Sequence, residues 1–270
     1  LTTDDLGAAP VVLRDLVFAE HEGFRPLSLD LHLPGAAEAS GRAPLIVFAH
    51  GGGWRKGGRG MFCPTMTGDD PFARITGAGF AVASVDYRLS AEAVYPAQVD
   101  DVAAALAWLR AHAREYGVDP DRTVLWGESA GATLVALVAL RTDAGVRGLI
   151  DWYGPSDLTA MARDLGQLDD PDTREACWLG HPVSADPDRA AAASPAAHVH
   201  AGAPPALIAH GLDDAAVPPA QSELLAAALR AAGVPVELDL VPGAGHMWQG
   251  EVDRLGLLER ALAFARRVTG

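Results

Sequence analysis

The chain has 270 residues, 49% of them hydrophobic, and sets 35 acidic against 21 basic residues for a formal charge of −14. That length and hydrophobicity suit one α/β domain with a sizeable core, here taken as 1–270, and the charge repels polyanions, which argues against nucleic acid as a partner. No apolar run reaches the roughly 18 residues that cross a bilayer, so no membrane partner is expected. The opening Leu1-Thr2-Thr3-Asp4-Asp5 lacks the basic and then apolar pattern of a signal peptide. The cytoplasm is the expected compartment, although the absence of an initiator Met leaves secretion open.

Residues 11–18 and 26–33 read as the first two strands. In the second, Leu27, Leu29, Leu31 and Leu33 alternate with Ser28, Asp30 and His32, the pattern of an antiparallel edge with one wet face. A turn over 34–44 leads to Leu45-Ile46-Val47-Phe48-Ala49, apolar on both faces and therefore a buried central strand. It runs into His50-Gly51-Gly52-Gly53-Trp54 and a polar, glycine-rich loop over 55–70. The next buried strand, 80–85, ends at Asp86-Tyr87-Arg88, whose Asp86 and Arg88 read as structural ion-pair partners. Pro96 then opens a helix with Val99, Val102, Leu106 and Leu109 at spacings of three and four, stopped by Gly117.

From there helix follows strand: strand 123–126, helix 130–141, strand 146–153. Such alternation implies a mostly parallel sheet with helices on both faces and ligands bound beyond the carboxyl ends of the strands. Over 155–204 the alternation breaks into Pro, Asp and Ala with short helical patterns, a cap-like excursion over that carboxyl edge. Order resumes with strand 206–211, helix 219–232, strand 236–241 and an amphipathic helix over 252–268. Cys63 and Cys177 fall in segments that read as loops and form neither a metal motif nor a disulfide framework. No cofactor or metal is expected, and the sequence carries no signal for oligomeric state.

Chemistry concentrates at Gly127-Glu128-Ser129-Ala130-Gly131, between the strand 123–126 and the helix that follows. A strand that turns straight into a helix at Gly-x-Ser-x-Gly strains the serine backbone and projects its hydroxyl above the sheet. The flanking glycines are needed because strand and helix approach too closely for a Cβ. A nucleophilic Ser129 needs a base, an acid that holds the base, and donors for the oxyanion. His246, on the glycine-rich loop after the last strand, can serve as base because its ordinary pKa of about 6.5 lets it take and return a proton near neutrality. Asp213 and Asp214 both follow the strand ending at His210-Gly211, and only one of two adjacent side chains can face the imidazole. Oxyanion donors are available from the amides of Gly52 and Gly53, and from Ala130, the residue after the serine. A phosphate cradle at the glycine run is disfavoured, since no P-loop Lys-Ser or Lys-Thr follows it.

The chain order of these parts, oxyanion loop, serine, aspartate and histidine, is that of α/β-hydrolases. With Asp86-Tyr87-Arg88-Leu89, His210-Gly211-Leu212-Asp213-Asp214-Ala215-Ala216-Val217-Pro218 and Gly243-Ala244-Gly245-His246, nearly the whole chain resembles the carboxylesterase branch of that superfamily. The bacterial group similar to hormone-sensitive lipase and to feruloyl and acetylxylan esterases fits best. The resemblance implies an α/β-hydrolase fold and selects Asp214, the fifth residue of His-Gly-x-x-Asp, as the acid. Glu128, where the hormone-sensitive group has Asp, and Trp54 after the glycines pull toward esterases of small esters or polysaccharide side groups. The expected activity is hydrolysis of a small-molecule ester through an acyl-enzyme, by Ser129, His246 and Asp214. An amidase, formamidase or peptidase on the same machinery is the alternative, and a binding protein on the hydrolase scaffold is a more distant one. Trp54, Trp152, Tyr153 and Trp248 are the expected substrate-lining residues, and Trp126 the expected core one.

Overall fold

The computed structural model describes residues 10–35, 41–141 and 144–270; the segment 1–5 and the middle of the turn over 34–44 lie outside them. The strands are β1 (Val11–Ala19), β2 (Leu27–Leu33), β3 (Ala43–Ala49), β4 (Ala81–Val85), β5 (Val118–Glu128), β6 (Gly148–Trp152), β7 (Ala206–Gly211) and β8 (Val236–Val241). Among the described residues all eight form one sheet in the order β1-β2-β4-β3-β5-β6-β7-β8. β1, β2 and β4 pair antiparallel, and every pair from β4 through β3 to β8 is parallel. The helices are α1 (Pro71–Gly77), α2 (Ala97–His112), α3 (Ala130–Ala139), α4 (Leu158–Asp164), α5 (Arg174–Leu179), α6 (Pro187–Ala192), α7 (Ala220–Ala231) and α8 (Arg254–Thr269).

The run of apolar residues in β3 is explained by two cores, one on each face of the sheet. Leu45, Val47 and Ala49 join Val102 and Leu106 of α2 and Leu134 of α3, whereas Ile46 and Phe48 join Ile75 of α1 and Leu258 and Leu262 of α8. Period-two alternation thus sends successive residues to opposite apolar layers rather than to core and water.

β2 corrects the reading of its own alternation. It is not an edge: β1 covers one side and β4 the other, and Ser28 and Asp30 are buried. Asp30 accepts from Arg14 Nη1 at 3.1 Å, Arg59 Nε at 2.8 Å and the Asp15 amide at 3.0 Å. The polar face is roofed by the loop after β3 through Arg59, which also pairs with Asp86. The wet edge is β1, where Val12 and Val17 are exposed.

The excursion lies between β6 and β7 and consists of α4, α5, α6 and single turns. Each helix is capped by a side chain on its first turn: Asp157 on the Ala160 amide (2.9 Å), Thr173 on Ala176 (3.0 Å), Asp186 on Arg189 (2.9 Å). Cys177 sits on α5 rather than in a loop, and both cysteines are free thiols. No helix among the described residues is long and apolar enough to cross a membrane.

Candidate active site

β5 ends at Glu128 and α3 begins at Ala130, leaving Ser129 alone to make the turn, with φ 51° and ψ −121°. This is the strained elbow the motif demands. Its amide is tied to the Trp152 carbonyl of β6 at 2.8 Å, which fixes the serine at the sheet's carboxyl edge. A Cβ on Gly127 would lie 2.5 Å from the Ala132 nitrogen, and one on Gly131 2.1 Å from the Ala49 carbonyl. Both glycines are therefore required by close backbone approach.

His246 arrives on the loop after β8, and its Nε2 lies 3.1 Å from Ser129 Oγ. Its Nδ1 donates to Asp214 Oδ2 at 2.6 Å. The loops carrying acid and base touch: a Cβ on Gly211 would fall 2.2 Å from the Ala244 carbonyl, and the Asp213 amide donates to that carbonyl at 2.9 Å. Asp213 itself points to solvent, so Asp214 faces the base. Asp214 Oδ1 accepts from the amides of Ala216 (2.8 Å) and Val217 (2.9 Å). Burial alone would raise this carboxyl, but hydrogen bonds from His210, His246 and Val217 and the charge of His246 outweigh it and hold Asp214 well below the usual carboxylate range.

The glycine run folds back over the serine. Gly52 has φ 122°, and a Cβ there would fall 2.0 Å from the Lys56 carbonyl; Gly53 has φ 62°. Among the described residues the amides of Gly52, Gly53 and Ala130 donate to no backbone or side-chain acceptor, whereas the Gly51 amide turns toward Glu128 Oε1 at 3.4 Å. His50 anchors the loop: its carbonyl accepts from Tyr87 at 2.9 Å, and the two rings stack 4.3 Å apart. Burial pushes the His50 imidazole below its ordinary range, so it is a neutral packing group. Asp86 and Arg88 are ion-paired as expected, with Arg59 and with Asp101.

Four aromatic residues expected to line the substrate site are buried instead. Trp54, Trp152, Tyr153 and Trp248 are all at or below 1% exposed. Trp54 stacks on Trp178 of α5 with centroids 4.3 Å apart, and Trp152 packs edge-on against Trp126 and Trp248. Their indoles fill the layers behind the loops, because large flat side chains beside glycine-rich turns supply the packing those turns lack. Tyr153, with φ 47°, sets its ring edge-on to His246 at 5.0 Å and donates to Glu128 Oε2 at 2.8 Å.

Other residues at the site went unassigned in the sequence. Glu128 stood out as a motif departure; it is buried beside Ser129, and desolvation pushes it up to about 7 against the hydrogen bonds of Tyr153 and Gly51. His210 lies within the quoted His-Gly motif, and its Nε2 is 3.3 Å from Asp214 Oδ2. Arg174 of α5 had no signal. Its stem lies where a Gly53 Cβ would be, 2.7 Å from Cδ, and its Nη2 donates to the Ala216 carbonyl at 3.0 Å. The excursion thus spans from the oxyanion loop to the acid loop.

A serine at the sheet's carboxyl edge, an imidazole hydrogen-bonded to it, an ionised acid behind the imidazole and unused amides beside it can carry out acyl transfer. The comparisons with known proteins point the same way. The chain is 35% identical over 219 residues to the esterase LipQ of Mycobacterium tuberculosis, covering 76% of this chain and 50% of that protein. It is 34% identical over 246 residues to the carboxylic ester hydrolase LipN of the same organism, covering 80% of this chain and 63% of that one. The chain therefore spans about half to two thirds of the length of these curated relatives. Among solved structures, a truncated carbohydrate esterase from gut microbiota superposes with a TM-score of 0.83 at 26% identity, covering 99% of both chains. Esterase 2 of Thermogutta terrifontis, solved with butyrate bound, superposes with a TM-score of 0.72 at 26% identity, over 97% of this chain and 94% of that one. The BD-FAE family profile matches residues 29–229, and the chain belongs to that family of α/β-hydrolase carboxylesterases.

Proposed function

We propose that this chain hydrolyses short-chain or small carboxylic esters through Ser129, His246 and Asp214. The observation that carries the reading is the continuous hydrogen-bonded line from Ser129 Oγ through His246 (3.1 Å) to Asp214 (2.6 Å) at a strained elbow. His246 Nε2 takes the Ser129 proton as Oγ attacks the ester carbonyl. The amides of Gly52, Gly53 and Ala130 hold the oxyanion, and the imidazolium is stabilised by Asp214 before it returns the proton to the departing alcohol. Water activated by the same base then releases the acid from the acyl-enzyme. The excursion's helices are short and no larger lid is inserted among the described residues, which supports small acyl groups. A solved carbohydrate esterase and an esterase with butyrate bound, both similar to this chain, support the same class. A small ester is thus the proposed partner, and the formal charge of −14 argues against nucleic acid.

The test is chromophore release from p-nitrophenyl acetate, butyrate and octanoate. We expect turnover to be highest on the two shorter esters, and Ser129→Ala to lose at least about 10³-fold. Equal turnover by Ser129→Ala, or none by native protein that a fluorophosphonate fails to label at Ser129, overturns the reading.

A further inference from the structure

We propose that His210 is a positioning residue for the reaction: a second imidazole beside the Asp214 carboxylate that sets how strongly Asp214 supports the base. The inference rests on the ester-hydrolase reading above.

His210 is completely buried at the carboxyl end of β7, four residues before Asp214. Its Nε2 lies 2.9 Å from the Val217 carbonyl and 3.3 Å from Asp214 Oδ2. A carbonyl can only accept, so Nε2 carries a proton, and that N–H donates to the Val217 carbonyl while the carboxylate lies close beside it. The opposite nitrogen, Nδ1, is 2.7 Å from Ser222 Oγ on α7. The ring is therefore held at both ends and cannot flip without orphaning a buried partner. Asp214 Oδ2 is thus within reach of two imidazoles, with His246 Nδ1 at 2.6 Å.

The arrangement does more than pack. The positive end of the Nε2–H dipole, 3.3 Å from Oδ2, offsets part of the charge that would otherwise stabilise a protonated His246. It also fixes the carboxylate in the orientation that reaches His246, from a loop that β7 and α7 both anchor. The other groups facing this pair are few. Asp151 of β6 faces His210 electrostatically, burial pushing it up to about 6. The Tyr153 ring lies 6.4 Å from that of His210 and 5.0 Å from that of His246. Ser129 meets the far side of His246.

The experiment compares kcat/KM against pH on p-nitrophenyl butyrate for the native enzyme, His210→Gln, His210→Leu, Ser222→Ala and Asp151→Asn, each counted by fluorophosphonate titration of Ser129. Removing the donor leaves Asp214 a stronger partner for the protonated base. The acid limb of His210→Leu is expected to move to higher pH by about half a unit or more, with kcat lower by about tenfold to 100-fold from lost alignment. Gln keeps an N–H and should restore the limb toward its native position. Ser222→Ala frees the ring at one end and should shift the limb the same way by less, which keeps the question answerable if His210→Leu does not fold. A limb that stays fixed in His210→Leu, or in Ser222→Ala where the Leu variant does not fold, while stability falls, makes His210 purely structural and overturns the inference. An equal shift in Asp151→Asn assigns the effect to Asp151 and overturns it too. Both outcomes leave ester turnover by the native protein intact, whereas failure of the hydrolase reading would show as native protein with no turnover and no label.

Discussion

Glu128 and Asp214 are both buried carboxylates, one beside Ser129 in the chain and the other one imidazole away from it, yet they depart from the ordinary range in opposite directions. Desolvation acts on both to raise them; the donors around them differ. Asp214 sits in a turn whose own amides, Ala216 and Val217, curl back to it at 2.8 and 2.9 Å, with two imidazoles beyond. Glu128 ends a strand whose amides are engaged with β3 and β6, so it is left with the Tyr153 hydroxyl at 2.8 Å and the distant Gly51 amide at 3.4 Å. A turn can solvate a charge with backbone; a strand cannot. One carboxylate is thereby kept ionised for chemistry, and the other is held near neutrality as a strut beneath the oxyanion loop.

The largest expected effect lies on the Asp214 side. Asp214→Asn keeps the volume but offers the imidazole an amide, which favours the wrong tautomer, and kcat should fall by about 10³- to 10⁴-fold. Asp213→Asn, altering an exposed side chain, should stay within about twofold to threefold. Parallel kcat measurements on p-nitrophenyl butyrate decide between them, and a greater loss at Asp213 would reverse the assignment of the acid.

Next in size is the loop that Glu128 supports. Gly52→Ala places a Cβ 2.0 Å from the Lys56 carbonyl at a φ of 122°, so the loop must unwind. Losing its amides as oxyanion donors should cost kcat about 10²- to 10³-fold, with KM little changed. A KM effect alone would mean that the loop binds substrate without holding the oxyanion.

The same contrast explains what was legible in the sequence. The elbow, the glycine run and the histidine loop were readable because each is a local backbone requirement that glycine spacing records, whereas Asp214 was singled out from Asp213 only by the resemblance to the carboxylesterase branch. The parallel pairing of β3 to β8 was readable from the alternation of helix with strand. What failed was inferring the surroundings of a side chain from its polarity or its neighbours in the chain. Asp30 and Ser28 looked like a wet face but are buried, Asp30 under Arg59 from a loop 29 residues away. Trp54 and Trp248 looked like substrate contacts because they adjoin catalytic loops, but they pack behind them. His210 and Arg174 act through space, and nothing in their own spacing announces the partner.

The smallest expected effect is on stability, and it isolates Glu128. Its carboxyl is raised from 4.5 to about 7 in the folded chain, so the native state holds a proton that the unfolded chain gives up. The stability this contributes is complete below pH 4.5, declines as pH rises through 7, and corresponds to about 3 kcal/mol over that window. Asp214, held low, behaves in the opposite sense: its contribution is complete above its unfolded value of 3.8 and is lost as pH falls below it. Asp151, raised to about 6, adds a slope of the same sign as Glu128, but native and variant share it and it cancels in their difference. Urea unfolding of Glu128→Gln should therefore match the native protein near pH 4.5 and exceed it by up to about 3 kcal/mol at pH 8, with turnover reduced by no more than about tenfold since the Tyr153 hydroxyl can still donate to the amide oxygen. Parallel stability curves across that range would mean that Glu128 stays charged beside the serine, and the distinction between its environment and that of Asp214 would collapse.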